Sequence, residues 1–258
     1  MEETGKNPIQ VAERLFQVIE RLAENGPMGI MDLSAELGFH KSTTHRLVTS
    51  LQYMGYIRQD EESLKYALSL KFLEIGSKIL EQTNMASLIH PSLKKLSEQT
   101  GETVHLVRRE GTEAVYIDKV ESTVSSIRMV SRVGSRIPLY CSGVGKALLA
   151  ELPDPEIEDI WNSSEITSLT PYTVTSLSDL MDRIRGVREV GYAMDDEENE
   201  EGVRCIAVSI PDYHKEPVYA LSISAPVSRM TDARIAELST DVLTFKKDLE
   251  KTLGFSRS

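Results

Sequence analysis

Three apolar stripes at helical spacing crowd into the first part of the chain, and the breaks between them are short enough to demand a tight helical unit. Val11, Leu15, Val18, Ile19 and Leu22 form the first stripe, which stops at Asn25-Gly26-Pro27. A second helix is expected from about Ile30 to Leu37. Leu33 and Leu37 lie four apart, Ala35 is small enough for close helix contact, and Gly38 can take the left-handed conformation that closes it. A third helix, residues 41–54, carries Leu47, Val48, Leu51 and Met54 on one stripe with Thr44 beneath them. Projection at about 100° per residue sends Ser42, His45, Arg46, Thr49 and Gln52 to the opposite face. Residues 55–59 and 64–68 then alternate with period two around Asp60-Glu61-Glu62-Ser63, which predicts a β-hairpin. Three helices followed by a hairpin make a winged helix-turn-helix.

Short hydroxyls and a cation near the N-terminal end of the third helix suit a reader of the DNA major groove, because its first turns approach base edges while its end faces phosphate. Lys41, Arg46 and Arg58 are the expected phosphate anchors; Ser42, Thr43 and His45 are the base-edge candidates, with Thr49 one turn further along. A polar helix face also arises from solvation alone, and helix-turn-helix packing occurs in protein-docking modules. The wing tip is acidic, so its role stays open.

The chain has 258 residues, 40% hydrophobic and 27% charged, enough for one large domain or two modest ones and unlike a disordered chain. No stretch approaches the ~18 to 20 apolar residues of a membrane span, and the start lacks a signal-peptide pattern, so a cytoplasmic protein without membrane partners is expected. Cys141 and Cys205 are too few for a disulfide framework or a sulfur-rich zinc site. Lys and Arg number 29 against 40 Asp and Glu, a net charge of -11, which argues against a wholly basic nucleic-acid coat. Two windows nevertheless hold no acid. Residues 37–59 carry Lys41, Arg46 and Arg58, and residues 122–150 carry Arg128, Arg132, Arg136 and Lys146. Any anion-seeking surface is expected there.

Residues 70–82 show another apolar stripe, and a further helix follows over 85–99, which Pro91 should kink or delay. The expected division is a winged domain over 1–69, a linker helix over 70–84 and a second domain over 85–258. The linker stripe exceeds what a small domain needs to bury, which suggests a dimer contact. From Thr103 the period changes to two, and Gly111 turns a first hairpin. Strands are expected over 126–133 and 136–140, helices over 144–151, 155–161 and 177–190, strands over 203–210 and 218–225, and a long helix over 231–253. The second domain therefore reads as α+β with a largely antiparallel sheet.

Three features suggest an anion pocket. Ser142-Gly143-Val144-Gly145 opens a helix whose uncapped N–H groups suit a carboxylate. Period two puts Ser222 and Ser224 on one strand face with Ala220, leaving Leu221 and Ile223 for the core. Cys205 lies on a neighbouring strand among Ala207 and Ser209. Each has a plainer reading: a tight turn, serines facing water, a small buried hydrophobe. A phosphate loop at Gly145-Lys146 fails, because Ala147 stands where magnesium needs a hydroxyl. The run Asp195-Asp196-Glu197-Glu198-Asn199-Glu200-Glu201 matches no calcium loop and reads as a solvated face. His40, His45, His90, His105 and His214 are scattered, so no metal site and no cofactor are expected.

Taken together, these blocks resemble the isocitrate-lyase-regulator (IclR) family of bacterial transcription factors. The likeness rests on Leu37-Gly38-Phe39-His40-Lys41-Ser42-Thr43-Thr44-His45-Arg46-Leu47, Gly55-Tyr56-Ile57, Thr100-Gly101-Glu102-Thr103, Ser142-Gly143-Val144-Gly145-Lys146-Ala147, Asp195-Asp196-Glu197-Glu198, Gly202-Val203-Arg204-Cys205 and Leu221-Ser222-Ile223-Ser224-Ala225-Pro226. The resemblance implies a winged-helix domain on double-stranded operator DNA, a linker helix and a GAF-like effector-binding domain, assembled as a homodimer or a dimer of dimers. It also implies a pocket for a small organic acid: a 2-oxo, sugar-derived or aromatic acid. Carried over by motif, Gly143 and Val144 offer backbone N–H groups to the carboxylate. Ser222, Ser224 and Cys205 bond its oxygens or a neighbouring oxo group, Asp195 accepts from a hydroxyl, and Met129 and Val203 supply apolar wall. Val144 is bulkier than the alanine the family carries there, which implies a narrower pocket. A rival enzyme reading would need Cys205 or Cys141 as nucleophile with His105 or His214 as base, and no local motif supports it.

Overall fold

The structure, a computed structural model, describes residues 9–82, 85–122, 131–212, 214 and 216–253. It divides into two compact units, Met1–Thr83 and Asn84–Ser258.

In the first unit α1 (Gln10–Asn25), α2 (Ile30–Leu37) and α3 (Lys41–Tyr53) precede β1 (Ile57–Gln59), β2 (Tyr66–Leu68) and α4 (Lys71–Gln82). Val18, Leu22, Leu33, Leu47, Val48, Leu51, Ile57 and Tyr66 close over one core, each fully buried aliphatic contributing about 1.5–3 kcal/mol. Gly38 closes α2 in the left-handed conformation at φ 65°. Thr44 is fully buried: the Ser34 hydroxyl donates to its Oγ1 at 3.0 Å, which clamps α2 to α3. Met54 departs from its expected stripe and is exposed, because the helix ends at Tyr53 and Met54 no longer follows its face. The strands are three residues each, with Arg58 opposite Ala67. The Met28 N–H donates to the Tyr66 carbonyl at 2.9 Å, a bridge from the α1–α2 connection that no periodicity signals. α4 is anchored at its start, where Phe72 packs on Tyr56 at 5.2 Å between ring centroids and Lys71 Nζ donates to the Met54 carbonyl at 2.7 Å. Leu70 and Leu73 stay exposed.

The second unit is α+β. Its elements are α5 (Met85–Thr100), β3 (Thr103–Glu110), β4 (Glu113–Val120), β5 (Arg136–Pro138), α6 (Gly143–Leu149), α7 (Asp154–Asn162), α8 (Leu177–Val190), β6 (Ala193–Asp196), β7 (Val203–Ile210), β8 (Tyr219–Pro226) and α9 (Asp232–Thr252). The strands form one antiparallel sheet in the order β5-β4-β3-β8-β7-β6. α5 and α9 cover one face, where Ile89, Leu93, Leu96, Leu238 and Val242 meet Val104, Leu106, Ile206, Val208, Leu221 and Ile223. α6, α7 and α8 pack on the other, against Val107, Ala114, Ala193, Ala207 and Ala220. The small residues on this second face let α6 approach closely, and that approach builds the site described below.

Several sequence expectations are corrected. α5 runs through Pro91 without starting late. The lost ladder bond costs about 3 kcal/mol, and burial of Ile89, Leu93 and Leu96 outweighs it. Of the expected strand over 126–133, residues 126–130 lie outside the described residues and 131–133 are not strand. β5 stops at Pro138, where the chain turns into the α6 cap. β6 was unexpected, because its Asp195-Asp196 carries no strand-like alternation.

Candidate functional site

Two surfaces carry the residues singled out from the sequence. On α3, Lys41, Ser42, His45, Arg46 and Thr49 are exposed along one face, and Arg58 is exposed on β1. Thr43 is half-buried instead, and with Arg46 it lines a cleft of about 300 Å³ against Val11, Arg14 and Leu15 of α1. Arg14 is a cation that sequence reasoning missed, since it borders the apolar stripe of α1, outside the acid-free window. It lies 5.4 Å from the Phe39 ring centroid. No side chain caps α3, and its first intrahelical acceptor, the His40 carbonyl, takes the N–H groups of Thr43 and Thr44. The N–H groups of Lys41 and Ser42 therefore point out of the helix end, where an anion fits.

The second surface lies on the α6 side of the sheet. Strand register places Asp195 opposite Cys205 and Cys205 opposite Ser224, while Ser222 stands opposite Ala207 on one side and His105 on the other. Ser222, Ser224, His105 and Asp195 are all at least nine-tenths buried. The Ser222 and Ser224 hydroxyls stand 3.3 Å apart, and each lies within 3.4 Å of His105 Nδ1. Gly143 opens α6 above Asp195 and Ala207. A Cβ on it would meet the Asp195 nitrogen at 3.4 Å and Ala207 Cβ at 3.5 Å. The α6 end is not uncapped, contrary to the sequence expectation: the Ser142 hydroxyl accepts from the Gly145 N–H at 3.1 Å, because an extended Ser at the N-cap reaches the third helical residue, and it donates to the Pro138 carbonyl at 2.6 Å. The Val144 side chain points into the core, so only its backbone is free to serve a ligand. Val203 is half-buried at the start of β7, two residues before Cys205 on the same face. Met129 lies outside the described residues.

Asp195 Oδ1 accepts from the backbone N–H groups of Glu198 at 2.8 Å and Asn199 at 3.3 Å. Burial nevertheless dominates, pushing its carboxyl up to about 7. Burial likewise drops His105 to about 3, with Lys119 adding to the effect, so the imidazole is neutral. The Cys141 thiol is pushed up to about 12 and Cys205 is also raised, both by burial, the opposite of what a thiolate nucleophile needs.

The acidic run is not simply a solvated face. Asp195 and Glu198 are buried, and Glu198 pairs with a buried Lys146 at 2.5 Å. Nor is residues 122–150 a single anion-seeking surface. Lys146 is consumed by that pair, Arg136 pairs with Glu110 and Glu113, and Arg128 lies outside the described residues.

Family models match both units: the IclR helix-turn-helix domain over residues 11–61 and the C-terminal domain of the bacterial transcriptional regulator IclR over residues 77–250. This chain belongs to the IclR family. It is 36% identical over 252 residues to the acetate operon repressor of Salmonella typhimurium, covering 96% of this chain and 92% of that one. To the regulator XynR of Escherichia coli it is 36% identical over 248 residues, covering 96% and 98%. Among solved structures it is similar to Thermotoga maritima IclR, with a TM-score of 0.64, 31% identity, and 95% and 99% of the two chains covered. It is also similar to the Agobacterium tumefaciens repressor BlcR, with a TM-score of 0.79, 25% identity, and 98% and 100% covered.

Membership in the IclR family makes the chain a DNA-binding transcriptional regulator and removes the enzyme alternative. No helix among the described residues is long and apolar enough to cross a membrane. The sequence reading of this IclR-family site missed His105 as a member. Its strand alternation already put it on the face of Val107, but only the β3–β8 register brings it to the two serines.

Proposed function

We propose that the chain is a ligand-responsive repressor whose second unit senses a small organic acid and whose first unit holds double-stranded operator DNA. The observation that carries the effector reading is the group of buried Ser222, Ser224 and Asp195 with half-buried Cys205 on one sheet face, and Gly143 and Val144 at the facing helix end. Buried donors without a surplus of cations suit one carboxylate and one neighbouring oxygen, as in a 2-oxo acid. Met129 and Val203 complete the wall in this reading. Asp195, titrating near neutrality, either accepts from an effector hydroxyl or donates to its oxygen.

On the DNA side Lys41, Arg46 and Arg58 hold phosphates while Ser42, Thr43 and His45 read base edges, with Thr49 further along the groove. Residues 1–69 act as the DNA-binding domain, 70–84 as the linker helix and 85–258 as the GAF-like effector domain. The exposed Leu70 and Leu73 support a homodimer, or a dimer of dimers, matched to two half-sites. Effector binding then shifts the population of DNA-competent dimers, and coupling of ~1–3 kcal/mol is enough for a switch.

The test is fluorescence anisotropy on DNA immediately upstream of this protein's gene, with and without a panel of 2-oxo, sugar and aromatic acids, at several salt concentrations. The expected result is saturable, salt-sensitive binding that one acid weakens. Binding that no acid alters would refute the effector reading, and no specific binding at any salt would refute the operator.

A further inference from the structure

Both ring nitrogens of His105 are engaged, and their partners differ in kind. Nδ1 faces the Ser222 and Ser224 hydroxyls at 3.4 and 3.3 Å. Nε2 lies 2.7 Å from the Ser131 hydroxyl. The Ser131 carbonyl accepts from Lys119 Nζ at 2.8 Å, and Lys119 stands directly across the β3–β4 pair from His105. The Lys119 side chain is 10% exposed and its outer partner is Glu121 at 3.1 Å. The Tyr116 ring packs edge-on against the imidazole at 5.1 Å between centroids and holds its plane.

A neutral imidazole has one N–H and one lone pair, and the tautomer is set by its surroundings. The ammonium of Lys119 sits on the Nε2 side, where it favours the lone pair. The Ser131 hydroxyl, 2.7 Å away, can then donate to that lone pair. The N–H is then left on Nδ1, between two serine oxygens. A hydroxyl that accepts from Nδ1–H keeps its hydrogen for another partner. With the lone pair on Nδ1, at least one serine hydrogen would be drawn back into the protein, and the site would present acceptors to its ligand.

We infer that His105 is a positioning residue of the effector site, held as the Nδ1–H tautomer by Ser131 and Lys119 so that Ser222 and Ser224 both turn their hydroxyl hydrogens toward an effector carboxylate. This rests on the effector reading proposed above and adds the reason why the site selects an anion over a neutral amide. Through Ser131 it also ties the ligand-facing serines to the segment that enters β5.

The tautomer is measurable without any effector, by long-range proton–nitrogen correlation spectra of the full chain labelled with 15N-histidine, His105→Asn identifying the signals. The Nδ1–H form is expected in the wild type at pH 7, and Lys119→Met and Ser131→Ala are expected to move population toward Nε2–H. An Nε2–H or charged His105 in the wild type overturns the inference, as does a tautomer that neither variant moves. The second measurement is calorimetric titration with pyruvate and pyruvamide. The asparagine amide nitrogen falls near the place of Nδ1, so His105→Asn should bind pyruvate within about threefold of wild type. His105→Leu should lose about tenfold, the worth of roughly one hydrogen bond. If pyruvate binds the wild type and His105→Leu alike, or if pyruvamide binds as well as pyruvate, the His105 role is wrong and the effector reading stands. If no acid of the panel binds the wild type, the effector reading itself is wrong, and the tautomer spectra still report on His105 separately.

Discussion

Gly145→Ala isolates the close approach on which the α6 site depends. A Cβ built on Gly145 would lie 2.1 Å from the Leu139 carbonyl oxygen and 2.3 Å from Leu139 Cα, where an ordinary contact is 3.4–4 Å. Either α6 or the 138–142 segment must retreat by roughly 1 Å, and overpacking of this kind costs about 3 kcal/mol. Neither has an easy way out. Leu139 is fully buried, Pro138 takes the Ser142 hydroxyl, and Ser142 in turn caps α6. The helix-propensity gain of alanine over glycine returns about 1 kcal/mol, leaving a net loss of about 2. For a unit of this size that is a fall of ~4–8 °C in Tm. Gly143→Ala is the control: its Cβ would make only van der Waals contacts at 3.4–3.5 Å, so its Tm should stay within about 2 °C of wild type. Trp161 is the single tryptophan and packs edge-on against Tyr140 at 6.0 Å, so its fluorescence reports this unit alone during a thermal melt. A Gly145→Ala protein that melts with the wild type would show that α6 is not pinned against Leu139, and the argument for its position would fail.

Removing one partner of the buried Lys146–Glu198 pair strands a charge, so Glu198→Gln should cost about 3–5 kcal/mol in urea unfolding, while Lys146→Met with Glu198→Leu should recover most of it. If the single and double variants unfold alike, the pair is not coupled. Asp195 is raised from 3.8 to about 7, so the folded protein holds a proton that the unfolded chain releases. Its contribution to stability is therefore fully present below about pH 4 and declines as the pH climbs to about 7, and Asp195→Asn should flatten that part of the stability–pH curve. An unchanged slope in the variant would remove Asp195 as its source. Arg46→Ala should weaken operator binding and reduce the salt slope by about 1, with an unchanged melt; equal affinity would move the DNA contact elsewhere.

The winged unit was legible because its determinants are local. The stripes of α1 to α3, the breaker at Asn25-Gly26-Pro27 and the left-handed Gly38 act within a few residues of themselves, and the polar face of α3 follows from the same periodicity. The α+β class follows likewise from the switch between helical and two-residue periods along the second part of the chain. Residue types, spacing and the family blocks also sufficed to name Ser222, Ser224, Cys205 and Asp195 as candidates. Their assembly into one group depends on strand order and register, since β3 pairs with a strand more than a hundred residues later, and no periodicity encodes that partner. The same holds for the acidic run, where a charge pattern gives no sign that Glu198 turns inward to Lys146, 52 positions earlier. Charge, period and turn chemistry are properties of neighbours along the chain and can be read there. Burial, the shifted titration of Asp195 and His105, and the pairing of Lys146 are properties of neighbours in space, and the folded sheet alone supplies those.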